Sequence, residues 1–331
     1  MRKILALSIV AVISVVTLEL GLRLAGFKAY TLPEFSMTSE PTWCFGKDSL
    51  GVTLMPGKYV VRINKGLKYS ATHSEFGNRI TSDNLSDSLP EIFVYGCSYT
   101  YGQGVNDDET YPYLLQQAYG QYSVTNFARS GYGSLQADIQ LKNSVDGGER
   151  PKVVILGFAT FHEERNLLSR SYQEKLYTGY KLLKVQEQNM VYPKCKLNRV
   201  GFDVSYVNII DEYVPFVFRE QSVLMNTLDQ NMTRFKSQDV SKLQASKRIL
   251  GQIKSRCSEY DIRLIVADVD STFNSARIAS FCLESEIEYV NISPDLSISG
   301  YRNLPYDLHP NKEAHKVYAH KLVKYLNKNP L

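Results

Sequence analysis

The sequence predicts an α/β protein, a three-layer α/β/α sandwich on a mainly parallel five-stranded sheet, with a transmembrane helix at its N-terminus. Three observations predict it. From Glu91 onward, short apolar runs alternate with helix-patterned stretches, which implies parallel βαβ units wound right-handed. The first 26 residues place two basic side chains ahead of a nearly unbroken apolar run. Over 331 residues, 44% are hydrophobic and 22% charged, the balance of a globular chain long enough for a large core.

At the N-terminus, MRKILALSIVAVISVVTLELGLRLAG has the basic start and apolar centre of a signal peptide, but no small-x-small cleavage site stands before Arg23. An uncleaved anchor over residues 1–26 is favoured over a cleaved signal. Ile4 to about Leu22 is just sufficient to span a bilayer if Glu19 sits near the headgroups. Arg2, Lys3 and the terminal amine then stay in the cytoplasm and the body is exported, to the periplasmic or extracellular side. Cleavage of the segment would instead leave a secreted protein.

Residues 27–90 combine turn formers with short extended pieces such as GKYVVRIN and EFGNRITSDN, a small β-rich preface in which no catalytic residue is expected. Residues 91–331 form the main domain. In it, IFVYG is a buried strand, TYPYLLQQAYG a helix, YSVTNFA a second strand and SLQADIQLKNSV a second helix. VVILGF is the third strand, SKLQASKRILGQIKSRCSEY an amphipathic helix, IRLIVADV and IEYVNIS the last strands, and NKEAHKVYAHKLVKYLNK the closing helix. Residues from about 160 to 240 break this rhythm with the tyrosine-rich SYQEKLYTGYKLL, long enough for a lid or a substrate-shaping insertion.

A formal charge of +4, with Lys and Arg scattered, argues against nucleic acid as a partner. Cys44, Cys97, Cys195, Cys257 and Cys282 form no CxxC pair and have no metal-ligand spacing with histidine, so no structural metal is expected. In an exported chain one or two disulfides are compatible with this set, the odd count leaving a free thiol, assigned to Cys97.

In an open parallel sheet, functional groups gather beyond the carboxyl ends of the strands. Three blocks stand there: VYGCSYTYGQGV with Ser98, NFARSGYGSLQ with Gly131, and YDLHPN with Asp307 and His309. A serine needs a base to become a nucleophile, and a histidine oriented by a carboxylate is a common solution. Ser98 could otherwise be a turn residue, Asp307 a helix cap, and Gly131 a turn-permitting glycine.

GCSYTYGQGV resembles the first block of the SGNH or GDSL hydrolase family, NFARSGYGSLQ its second, and DLHPNKEAH its last, over about Glu91 to Leu326 with the insertion excluded. The resemblance implies a flavodoxin-like sandwich with Ser98 as nucleophile, His309 as general base and then acid, Asp307 orienting His309, and Gly131 with the Ser98 amide as oxyanion donors. Cys97 replaces the family's aspartate. The third block, GxND in the family, reads GFATFHEERN, with Ala159 in place of asparagine; His162 is the first candidate for the missing donor, with Arg165 and Asn166 behind it. The expected activity is that of a serine esterase working through an acyl-enzyme, without metal or cofactor, on an acylated small molecule or polysaccharide. An O-acyltransferase of a cell-envelope polysaccharide and a non-catalytic carbohydrate-binding member of the fold are the alternatives.

Overall fold

The computed structural model describes residues 2–82, 89–182, 190–238 and 241–331; residues 83–88 of the preface, and 183–189 and 239–240 of the insertion, lie outside the described residues. The chain opens with α1 (Arg2–Leu24) and five short strands, β1 (Met37–Glu40), β2 (Phe45–Asp48), β3 (Gly51–Leu54), β4 (Gly57–Ile63) and β5 (Leu67–His73). Then come β6 (Glu91–Gly96), the one-turn α2 (Ser98–Tyr101), α3 (Tyr111–Ala118), β7 (Ser123–Asn126), α4 (Ser134–Asp146) and β8 (Val153–Phe158). After β8 follow α5 (His162–Asn166), α6 (Arg170–Leu182), β9 (Val191–Leu197), β10 (Phe202–Asn208), α7 (Ile209–Glu212) and α8 (Val223–Ser237). The chain closes with α9 (Ser241–Glu259), β11 (Arg263–Asp268), α10 (Ser275–Glu284), β12 (Glu288–Asn291) and α11 (Lys312–Lys328).

Two compact units result: one of Met1–Glu34, Ser169–Glu187 and Ile209–Asp239, the other of Phe35–Leu168, Gln188–Asn208 and Val240–Leu331. The larger unit holds the five-stranded sheet in the order β12-β11-β8-β6-β7, every neighbouring pair parallel. All six residues of β8 are buried, because a parallel strand covered on both faces has no polar side to alternate with. Alternation sorts the side chains between the faces. Phe93 and Tyr95 pack with Leu135 and Leu141 of α4 and Ile249 and Ile253 of α9, while Ile92 and Val94 pack with Leu115 of α3 and Tyr318 and Leu322 of α11. The expected three-layer sandwich is the fold observed.

From Phe35 onward the preface belongs to the same unit, while its residues before that go with α1 to the smaller one. β1, β4 and β5 form an antiparallel sheet, β2 and β3 a hairpin, and Val61, Ile63, Tyr69 and Ala71 a core of their own. Buried Arg79 ties this sheet to the stretch behind the first strand-end block, donating to Asp107 and to the carbonyls of Ser70, Tyr101 and Val105. The stretch read as one insertion divides. The β9–β10 hairpin pairs over seven residues and lays Cys195, Leu197 and Phe202 on the main core. Helices α6, α7 and α8 go to the smaller unit, where Arg219 is buried among Asp229, Glu174 and Tyr213. The tyrosines near 172–180 serve packing there, with Tyr172 buried and Tyr177 against Tyr213. In the same unit, α1 is long and apolar enough to cross a membrane, with none of its span buried.

Candidate active site

The site grows from the end of β6. A Cβ on Gly96 would collide with Thr100 Oγ1 and stand 3.1 Å from the Gly157 carbonyl oxygen, so only glycine lets α2 turn this tightly against β6 and β8. Thr100, where an α/β-hydrolase elbow would carry glycine, is the buried wedge between the two strand ends and accepts a bond from Tyr111 Oη at 3.1 Å. Ser98 is thereby set at the first position of α2, 3% exposed. The Cys97 thiol in front of it is buried, which raises its pKa. All five cysteines are buried and unpaired, which corrects the disulfide expectation.

The partners of Ser98 arrive from 211 residues away. His309 Nε2 lies 3.0 Å from Ser98 Oγ, and Nδ1 of the same ring lies 2.8 and 2.9 Å from the two carboxylate oxygens of Asp307. With Nδ1 donating to the carboxylate, Nε2 is the atom left to accept the serine proton. Burial raises the Asp307 carboxyl, but the hydrogen bonds and charge of His309 outweigh it, and the group stays ionised below the usual carboxylate range.

The loop between β12 and α11 holds this pair in place through bonds across its own length. Arg302 donates from Nε to Leu296 O at 2.7 Å and from a terminal nitrogen to Leu308 O at 2.5 Å. Asn303 N donates to His309 O and Asp307 N to Asn303 O, each at 3.0 Å. Asn311 caps α11 by accepting from Glu313 N and Ala314 N, while its amide reaches back to Gly300 O. Asp307 is therefore no cap; Asn311 fills that role, and the carboxylate faces His309. The Tyr99 ring stands edge-on to His309 with centroids 5.7 Å apart and, through Phe161, walls the site.

Gly131 lies in the turn between β7 and α4 with φ of +84°, a conformation glycine adopts without strain. One residue earlier, Ser130 Oγ donates to Gln103 Oε1 at 3.0 Å, and Gln103 Nε2 lies 3.5 Å from Asp307 Oδ2. That chain sets the turn beside the histidine and aspartate. Sequence reasoning missed Gln103, although it stands inside the first block between Gly102 and Gly104, whose φ of +86° and +89° turn it inward. It missed Arg129 as well. This largely buried guanidinium, two residues before Gly131, donates to Asp48 and Thr53 of the preface hairpin at 2.9 Å and to Tyr132 Oη at 3.2 Å. The preface thus steadies the turn that carries Gly131.

The third block behaves differently from expectation. His162 has no exposed surface; its Nδ1 lies 3.4 Å from Ser134 Oγ, and its ring packs between Phe158 and Phe161. Burial holds it well below its ordinary pKa, hence neutral. A donor to an entering carbonyl must face the space the substrate enters, so His162 does not fill the oxyanion role assigned to it. Asn166, also fully buried, accepts from Leu135 N at the start of α4 and donates to Ser246 Oγ. Arg165 donates to Tyr132 O at 2.7 Å. Ala159 is buried, and the half-buried Thr160 gives both its amide and its hydroxyl to Asp270, whose carboxyl burial pushes up to about 6. Among the described residues, no cluster of three or more His, Cys, Asp or Glu could hold a metal ion.

The chain matches no protein-family model and no curated protein. Solved structures do overlay on it. A lipolytic protein of the G-D-S-L family from Desulfitobacterium hafniense is 13% identical, covering 71% of this chain and 98% of its own at a TM-score of 0.39. The psychrotrophic esterase EstA from Pseudoalteromonas is 12% identical, covering 72% and 97% at 0.41. A variant of Axe2, an acetyl-xylooligosaccharide esterase from Geobacillus, is 11% identical, covering 75% and 97% at 0.39.

Proposed function

We propose that this chain is a membrane-anchored serine esterase of the SGNH or GDSL type that cleaves an O-acyl ester through an acyl-enzyme. The observation that carries the reading is the continuous line from Ser98 Oγ through His309 to Asp307, with steps of 3.0 and 2.8 Å. A serine, a histidine and a buried carboxylate meeting in the order nucleophile, base, orienter is the arrangement that activates a hydroxyl at neutral pH.

In this reading Ser98 Oγ attacks the acyl carbon while its proton passes to His309 Nε2. The charge on Asp307 stabilises the imidazolium, and the oxyanion is held by the Ser98 and Gly131 amides. His309 then protonates the departing alcohol oxygen, leaving the acyl group on Ser98. Water, deprotonated by the same nitrogen, releases the acid and restores the serine. The three reacting and orienting groups Ser98, His309 and Asp307 are all in line, so the loss of asparagine at position 159 does not argue for a pure binding protein. The proposed substrate class is an acylated small molecule or envelope polysaccharide, because the apolar run of α1, with Arg2 and Lys3 at its start, favours an exported body tethered to the membrane.

The test is hydrolysis of p-nitrophenyl acetate by the full chain in detergent. Ser98→Ala and His309→Ala should each lose on the order of 10⁴-fold or more in kcat, since triad members act as a unit. Equal turnover in a folded Ser98→Ala variant would refute the esterase reading and leave carbohydrate binding in its place.

A further inference from the structure

The smaller unit exposes an apolar loop with the sequence VPFVF at 214–218, in which Val214, Val217 and Phe218 are 65%, 66% and 69% exposed. Loops at a water surface are ordinarily polar, and contiguous exposed apolar side chains mark an interaction surface. Phe218 moreover holds φ of +63°, a left-handed conformation unfavourable for a bulky side chain. The surroundings enforce it. Its carbonyl accepts from Gln221 N at 3.0 Å and Ser222 N at 2.8 Å, and the next residue, Arg219, is pinned by Asp229 and Tyr213 at 2.7 Å. A strained backbone that turns an aromatic ring outward points to a role for that ring outside the unit's own core.

What covers the loop follows from its attachment to α1. Glu19 accepts from Ser222 Oγ at 2.9 Å, Val223 N at 3.0 Å and Leu224 N at 2.8 Å, so a carboxylate of α1 satisfies the free amides at the start of α8. Arg23 donates to Gln221 O at 2.9 Å, and Tyr30 N donates to Arg219 O at 2.9 Å. Residues 221–224 are thus bonded to the end of the apolar span, and Arg219 to the segment that leaves it. Between Lys3 and that end no residue is charged until Glu19, so Glu19 and Arg23 mark the level at which α1 leaves the hydrocarbon. A loop fastened at that level meets the headgroup region, where an aromatic ring and flanking aliphatic side chains are favourably placed.

We propose that residues 214–218 form a membrane-interface loop that inserts Val214, Val217 and Phe218 into the headgroup region of the bilayer spanned by α1, giving the smaller unit a second point of attachment. The proposal rests on α1 being a membrane span. It does not depend on the esterase chemistry.

The test uses the full chain in phosphatidylcholine vesicles, with Trp43, the single tryptophan, changed to Phe and one probe introduced by Phe218→Trp. Its emission should be blue-shifted, shielded from iodide, and quenched by phosphatidylcholine brominated near the headgroup to an extent comparable with a Leu24→Trp probe at the end of α1. Quenching of Leu24→Trp without quenching of Phe218→Trp would overturn the loop proposal while leaving the anchor in place, and would indicate that something other than lipid covers the loop. Quenching of neither would overturn the anchor and the loop together. Should Phe218→Trp fail to fold, Val217→Trp decides by the same criteria.

Discussion

Replacing Asp307 by asparagine removes one charge and keeps the shape, which isolates what the carboxylate does for His309. Both carboxylate oxygens stand 2.8 to 2.9 Å from Nδ1. At that separation, with an effective dielectric of about 20, the attraction between carboxylate and imidazolium is ~6 kcal/mol. An asparagine amide turned toward Nδ1 would also drive the ring proton to Nε2, the atom that must accept the Ser98 proton. The same replacement in a serine triad lowers kcat by about 10⁴, equivalent to ~5.4 kcal/mol, so two independent routes give one magnitude. The assay is the initial rate of p-nitrophenyl acetate hydrolysis across pH, with far-UV circular dichroism confirming the fold. Because the Asp307 carboxyl sits below the usual range, its contribution is complete above about pH 4 and fades only as pH falls through its folded value. The deficit should therefore be constant through the neutral range. A folded Asp307→Asn variant that keeps more than about a tenth of the activity, a barrier change of ~1.4 kcal/mol or less, would refute the reasoning.

Two further outcomes are expected. His73 and His315 are buried, and burial lowers their pKa values to about 4 and about 3; His73 also lies between Met55 O and Tyr101 Oη, and His315 Nδ1 accepts from Tyr111 N. Only the unfolded chain takes up these protons below about pH 6.5, so stability is full above that and falls as pH drops toward the folded values, by roughly 2 kcal/mol per ring at pH 5; melting temperatures that do not change between pH 7 and pH 5 would contradict this. Arg129→Gln breaks the tie from the preface to the Gly131 turn and should cost about 1.5–3 kcal/mol in stability and up to about 10²-fold in kcat with little change in KM; a stability loss with kcat intact would make Arg129 structural only.

The three inner sheet strands, β6, β8 and β11, are legible in the sequence because a strand buried on both faces is an unbroken apolar run between turn residues, as IFVYG and VVILGF are, whereas the edge strand β12 is only half-buried and shows instead in its place between two helix-patterned stretches. Ser98, Asp307 and His309 are legible for a related reason: Ser98 follows a strand whose end is visible, Asp307 and His309 stand just ahead of a helix whose start is visible, and their chemistry is complementary. His162 misleads because position after a strand does not give side-chain direction. It begins α5, and that turn carries its ring inward onto Ser134. Gln103 escapes notice because its orientation depends on two left-handed glycines that read only as flexibility. The bonds that Arg129 donates to Asp48 and Thr53 join positions 81 and 76 residues apart with no motif to announce them. The division of residues 160–240 between two units is equally silent, since no composition break or motif marks where α6 leaves the larger unit and the β9–β10 hairpin rejoins it.

The claim that Ser98 is a nucleophile activated by His309 is tested most directly by treating the full chain in detergent with a fluorophosphonate and locating the adduct by mass spectrometry. One phosphonyl group on Ser98, absent in Ser98→Ala and formed far more slowly in His309→Ala, is the result predicted. No adduct on a folded chain, or an adduct that persists in Ser98→Ala, would contradict it.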